Sequence, residues 1–134
     1  MGCDIHAHVE VRLDGDWRHY SMPAVGRHYL LFAYMADVRN YGAEPMAVAA
    51  PRGLPADASV VTRYEADQWG VDGHSHSWLT FDEMQEVDRL MQVACADHPG
   101  WAFHLGREFG WIMADCAGYE LTPLGVRVVF WFDN

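Results

Sequence analysis

Apolar and polar residues alternate near both ends of the chain, and a period of two is typical of a β-strand with one buried face. From Cys3 to Leu13 the odd positions are apolar, while the even positions are Asp, His, His, Glu and Arg. Asp14-Gly15 is a favoured hairpin turn, so we expect a second strand from Asp16 to Met22. Leu124–Asp133 is rich in β-branched and aromatic residues, which predicts a central strand.

Three segments between these strands have the pattern of helices. Arg27–Asn40 is apolar nearly all round and contains no Gly or Pro, which predicts a buried helix. Asp57–Trp69 predicts a shorter helix with a capping Asp or Ser at its start and a glycine after its end. Thr80–Glu83 is a capping box, and apolar residues then recur at helical spacing as far as His98-Pro99-Gly100.

These elements predict an α+β fold, with an antiparallel sheet built from the N-terminal hairpin and the C-terminal strand and about three helices packed on one face. Trp101–Leu105 and Trp111–Asp115 fit either short strands or loops. No linker or low-complexity tract divides residues 1–134, so we expect a single globular domain. The chain is too short for a (β/α)8 barrel, which needs roughly 250 residues.

The charge of the chain limits its partners. Nineteen acidic residues stand against nine basic ones, all arginine, and the net charge is −10. Such a surface repels phosphate backbones, so direct nucleic-acid binding is not expected, whereas a basic protein is a suitable partner. No apolar run is long enough to span a membrane, no leader precedes the first strand, and three widely spaced cysteines do not suggest disulfides. We therefore expect a cytoplasmic protein.

Two copies of the pattern D-x-H-x-H carry the candidate chemistry. Asp4–His8 lies on the first predicted strand, and Asp72–His76 lies in the predicted connection after the second helix. Imidazoles that meet near a carboxylate could hold a divalent metal ion, namely zinc, manganese, iron or nickel. The candidate ligands are His6, His8, His74, His76, Asp4, Asp72 and, on the opposite face of the strand, Cys3. In the alternative interpretation these side chains only form hydrogen bonds that hold the connection against the sheet.

If a metal ion binds, the simplest chemistry is hydrolysis, because the ion lowers the pKa of a bound water. Asp4 or Asp72 could then act as general base. Arg39 or Arg52 could hold a small anionic substrate such as a phosphoester or a nucleotide. The two arginines could instead cap a helix and bridge loop carbonyls.

Five motifs in order resemble a family of small uncharacterised proteins encoded by bacteriophages and prophages: Gly2–His6, Ala36–Asn40, Pro51–Pro55, Asp72–Ser77 and Val129–Asn134. The resemblance spans nearly the whole chain. It implies a viral origin and a place in the host cytoplasm, but no activity. The family has other residue types at position 8, so the resemblance favours the other candidate ligands over His8. A second hypothesis is then a non-enzymatic acidic phage protein that inhibits a basic host protein, one that serves defence or handles nucleic acid.

Overall fold

The computed structural model describes residues 2–98 and 122–134. Four strands form one antiparallel sheet in the order β2-β1-β4-β3: β1 is Ile5–Leu13, β2 is Asp16–Ser21, β3 is Gly73–Thr80 and β4 is Val126–Asp133. Three helices accompany it: α1 is Tyr29–Ala36, α2 is Val60–Trp69 and α3 is Phe81–Ala94. The predicted α+β class is confirmed. The ambiguous segments Trp101–Leu105 and Trp111–Asp115 lie outside the described residues.

The central strand β4 is buried on both faces of the sheet, as its composition predicts. Its even-numbered residues, such as Phe130 and Phe132, join the main hydrophobic core together with the odd-numbered apolar residues of β1. Its odd-numbered residues, Arg127, Val129 and Trp131, point to the opposite face and are also buried. The sheet therefore has an apolar face and a second face that buries charged, imidazole and indole groups.

The helices divide between these two faces. Helices α1 and α3 supply apolar residues such as Phe32 and Met84 to the main core. Helix α2 lies on the second face, where the ring of Trp69 is 4.2 Å from the ring of His6. The prediction that all the helices share one face therefore holds for α1 and α3 only. The two buried residues of α2, Thr62 and Ala66, are small, and they suit a face that already carries large rings.

The local signals at turns and caps are reproduced. Asp14 and Gly15 both have positive φ, as the tight turn of the β1–β2 hairpin requires. Helix α3 begins at the capping box. The Thr80 hydroxyl accepts from the backbone N–H of Glu83, and the Glu83 carboxylate accepts from the backbone N–H of Thr80. None of the described helices has the length and apolarity needed to cross a bilayer.

All three predicted helices are shorter in the structure, and α3 ends at Ala94, before the predicted stop at His98. Helix α1 covers Tyr29–Ala36 and ends because Asp37 adopts a left-handed backbone with φ of 58°. The Asp37 carboxylate then accepts hydrogen bonds from the backbone N–H groups of Met46 and Ala47, at 2.6 and 3.2 Å. Helix α2 begins at Val60, because the hydroxyl of Ser59 accepts from the backbone of Thr62 as its N-cap.

Candidate functional site

The two D-x-H-x-H copies lie on the two strands that flank β4. His6 of β1 pairs with Trp131, and His74 of β3 pairs with Phe132, the next residue along β4. The second copy was expected in a connection, but from Gly73 onward it forms strand β3. Both copies therefore reach the same end of the sheet, with β4 between them.

A β-bulge separates the two histidines of the second copy. The register shifts between His74 and Ser77, and Ser75 has a left-handed backbone with φ of 55°. His74 consequently lies against the ring of Phe132 at 6.2 Å, on the side of the main core. His76 lies against the ring of Trp131 at 5.8 Å, on the second face. A regular strand would place the side chains of His74 and His76 on one face, and the bulge turns them to opposite faces.

An open pocket of about 570 Å³ lies where the two copies approach each other. The described residues that line it come from the segment before β1, from the stretch that runs from the end of α2 into β3, and from the end of β4 and the residue after it: Gly2, Trp69, Val71, Asp72, His74, Asp133 and Asn134. Asp72 and His74 belong to the second copy. The first copy reaches the pocket through Asp133, which His6 contacts.

Asp133 is a pocket carboxylate that hydrogen bonds hold in place, and it is not among the site residues predicted from the sequence. Its Oδ2 lies 3.0 Å from Nε2 of His6, and its Oδ1 accepts from the backbone N–H of Asp4 at 3.2 Å. The backbone N–H of Asp133 donates in turn to the carbonyl of Asp4. The alternation in β4 could have indicated it, because Asp133 shares the parity of Trp131 and therefore its face.

The carboxylate of Asp4 is occupied outside the pocket. It accepts two hydrogen bonds from Arg27, from Nε and Nη2, each at 2.9 Å. The Arg27 guanidinium holds the pKa of Asp4 below its ordinary value. Asp4 contacts Asp133 through its backbone, and its carboxylate is bound to Arg27. The predicted roles of Asp4 as a metal ligand or general base stay predictions.

His8 forms a buried pair with His19 of the neighbouring strand. Its Nδ1 lies 2.9 Å from Nε2 of His19, and its ring stacks on Trp131 at 5.1 Å. The side chain is fully buried, and burial together with the nearby His19 lowers the pKa of His8 to about 4. Among the described residues, neither Nε2 of His8 nor Nε1 of Trp131 has a hydrogen-bond partner.

A buried ion pair lies beyond His8 on the same face, and it too was missed. Arg127 donates to Glu10 at 2.8 Å and to Asp57 at 3.0 Å, and its guanidinium stacks on Trp17 at 4.0 Å. Burial raises the pKa of Glu10, but hydrogen bonds, first from Ser59 and also from Arg127, outweigh it and lower the pKa. Because Asp57 and Ser59 precede α2, this network attaches α2 to the sheet.

The other predicted site residues lie away from the pocket. Arg52 makes a bidentate contact with Glu83, both distances being 2.7 Å, and stacks over Trp78 at 4.4 Å. Arg39 lies over the ring of Tyr29 at 5.3 Å. Cys3 is fully buried in the main core, and burial raises the pKa of its thiol.

The predicted metal ligands do not form one coordination shell. Within residues 2–98 and 122–134, no group of three or more His, Cys, Asp or Glu side chains could hold a metal ion. His6, His8 and His76 instead surround the indole of Trp131, with ring centroids 6.0, 5.1 and 5.8 Å from it. The structure therefore gathers three of the four histidines around Trp131 and places the fourth, His74, in the lining of a pocket with two carboxylates.

Three comparisons give no relative to guide the interpretation. No protein-family model, no curated protein and no solved structure matches this chain. The pocket and the charge of the chain are therefore the basis for a functional proposal.

Proposed function

We propose that this chain is a binding protein that takes a cationic group into the pocket between Asp72 and Asp133. The observation that carries the proposal is the lining of the pocket. Two carboxylates border it, and no arginine is among the described residues that line it. Arg27 lies beside Gly2, but its guanidinium already makes two hydrogen bonds with Asp4. A positive charge that enters such a pocket gains attraction from both carboxylates.

The surroundings favour a cation in two further ways. The net charge of −10 makes the mean field of the protein negative, which attracts cations and repels free phosphates. Trp69 and Val71 add an apolar wall, and an indole next to carboxylates suits an organic cation such as a guanidinium or an ammonium group. His6 and the backbone of Asp4 hold Asp133 in place, which reduces the cost of ordering it on binding.

We favour an arginine or lysine side chain of a basic partner protein as the cationic group. If the resemblance to phage proteins reflects the origin of the chain, the partner is a host protein. Binding of this kind inhibits by covering a basic surface and requires no chemistry from the pocket.

A divalent metal ion is the second candidate, because Asp72, His74 and Asp133 line the same pocket. Since no three of the described side chains form a ligand group, such an ion would take most of its ligands from water and substrate, as Mg²⁺ commonly does. The pocket would then be the site of the phosphoester or nucleotide hydrolysis proposed from the sequence, with Asp72 as general base.

Titration of the full chain with single cations, followed by NMR of the Trp69 indole and His74 ring signals, separates these candidates. The probes are methylguanidinium, butylammonium, Mg²⁺, Mn²⁺ and Zn²⁺, each added after treatment with a chelator. We expect Asp72→Asn to weaken binding about fivefold, since one charge at 4 Å in water is worth about 1 kcal/mol.

Asp97→Asn is the matched control, because it removes the same charge from an exposed position after α3, outside the pocket lining. Saturable binding of the organic cations supports the binding protein, and saturable binding of a metal ion alone supports the hydrolase. If no probe shifts these signals, or if both variants weaken binding equally, the pocket is not a cation site.

A further inference from the structure

Helix α2 presents an apolar strip to the outside of the molecule. Its inward side carries the buried Thr62 and Ala66. On the outward side, Val60 and Tyr64 lie one turn apart and are 85% and 62% exposed, and Val71 follows the helix with 100% exposure. Single exposed apolar residues are ordinary, but two on α2 and a third just beyond its end form a surface that a partner can cover.

Acidic residues border this strip. From Asp57 to Asp72 the chain has four acids, Asp57, Glu65, Asp67 and Asp72, and one base, Arg63. The guanidinium of Arg63 donates to the backbone carbonyls of Ala56 and Ala58, at 2.6 and 3.3 Å, and so is turned toward the loop before the helix. Two of these acids are engaged toward the sheet, because Asp57 binds the buried Arg127 and Glu65 is half-buried and acts on His19, whereas Asp67 and Asp72 are exposed. We call Val60, Tyr64 and Val71 together with Asp67 and Asp72 the α2 outer face.

The α2 outer face is held in position by contacts at both ends of the helix. At its start, the backbone N–H of Ser59 donates to Glu10 at 2.7 Å, and Arg127 binds Asp57. At its end, Trp69 packs on His6. A partner therefore meets a preformed surface and does not have to order it, which lowers the cost of association.

We propose that the α2 outer face is a docking surface for a basic partner protein. Apolar residues of the partner cover Val60, Tyr64 and Val71, and its lysine or arginine side chains pair with the surrounding carboxylates. Charge complementarity decides the occupant, because a second copy of this chain would oppose acids to acids and a nucleic acid would oppose phosphates to acids. The helix is about 15 Å long, so the contact is small and transient. Val71 and Asp72 also line the Asp72–Asp133 pocket, so the test of this inference changes Val60 and Tyr64, which are outside the lining of that pocket.

A selection from a random peptide library displayed on phage, against the immobilised full chain, tests the proposal even though the partner is not identified. We expect the enriched peptides to combine apolar residues with a net positive charge. Their affinity, measured by fluorescence anisotropy on synthetic peptides, falls at least about tenfold when Val60→Ser and Tyr64→Ser are combined. It also falls with added salt.

Val93→Ser is the matched control, because Val93 is a 66% exposed valine on α3 and lies outside the α2 outer face. Unfolding curves of both variants show that each is folded before its affinity is measured. The proposal is overturned if enriched peptides are neutral or acidic, if no peptide is enriched, or if the double variant binds as well as the Val93 control. A wild-type dimer in light scattering that Tyr64→Ser dissolves also overturns it, since the surface then serves a second copy.

Discussion

Acidification perturbs the buried pair of His8 and His19, and its effect on stability can be calculated. The pKa of His8 is about 4 in the folded chain, against an ordinary value of 6.5. Between these two values the unfolded chain binds a proton that the folded chain excludes, so stability falls as the pH falls. The contribution of the neutral His8 side chain to stability is fully present above about pH 6.5 and is lost progressively down to about pH 4.

The magnitude follows from the difference in proton binding. The pKa of His8 is 6.5 in the unfolded chain and about 4 in the folded chain. Lowering the pH from about 7 to about 5 therefore reduces the free energy of unfolding by about 2 kcal/mol. The pKa of His19 is also lowered by burial and acts in the same direction. The pKa of Glu10 is lowered from 4.5, so stability from this carboxylate is lost only at lower pH, outside the window.

Urea unfolding followed by tryptophan fluorescence, repeated across this pH range, measures the effect. We expect the free energy of unfolding of His8→Gln to depend less on pH than that of the wild type, by about 2 kcal/mol over the window. Parallel curves for the variant and the wild type would refute the assignment of His8 as a buried neutral imidazole.

Three further predictions concern other parts of the fold. Arg127→Leu leaves the Glu10 carboxylate buried without its cation and lowers the free energy of unfolding in urea by about 3–5 kcal/mol, whereas the double replacement with Glu10→Leu costs less than this single change. Equal costs would contradict a paired charge. Thr80→Ala removes the N-cap of α3 and costs about 1 kcal/mol in the same assay, and no change would show that the capping box is dispensable. Cys3 is fully buried and its pKa is raised, so mass spectrometry will find it alkylated by iodoacetamide only in denaturant; rapid labelling of the native chain would contradict its place in the core.

The parts of the fold that follow from near neighbours in the chain were predictable. The alternation in Cys3–Leu13, the turn at Asp14-Gly15 and the capping box at Thr80 each depend on residues a few positions apart, and the structure has the hairpin and the helix where these signals place them. The second histidine motif was misassigned to a connection. Its strand begins with Gly73 and contains a bulge, so it lacks the regular alternation by which a strand is recognised.

The candidate site was only partly predictable. Asp72 and His74 were chosen from their motif and do line the pocket. The contact between Asp133 and His6 and the ion pair between Glu10 and Arg127 were not predicted. The two residues of each contact lie 127 and 117 positions apart along the chain, respectively. The side of the sheet on which α2 packs was also missed, because the two small inward residues of α2 fit either face.

The sequence by itself determined the class of fold, the two faces of strands β1 and β4, the start of α3 and the charge of −10. These properties follow from local backbone preferences and from composition. Only the tertiary structure decided that β4 lies between β1 and β3, that His8 pairs with His19 and not with the second motif, and that Asp133 meets His6. The physical reason is that contacts across a sheet depend on strand order and register, which are set by the packing of the whole core.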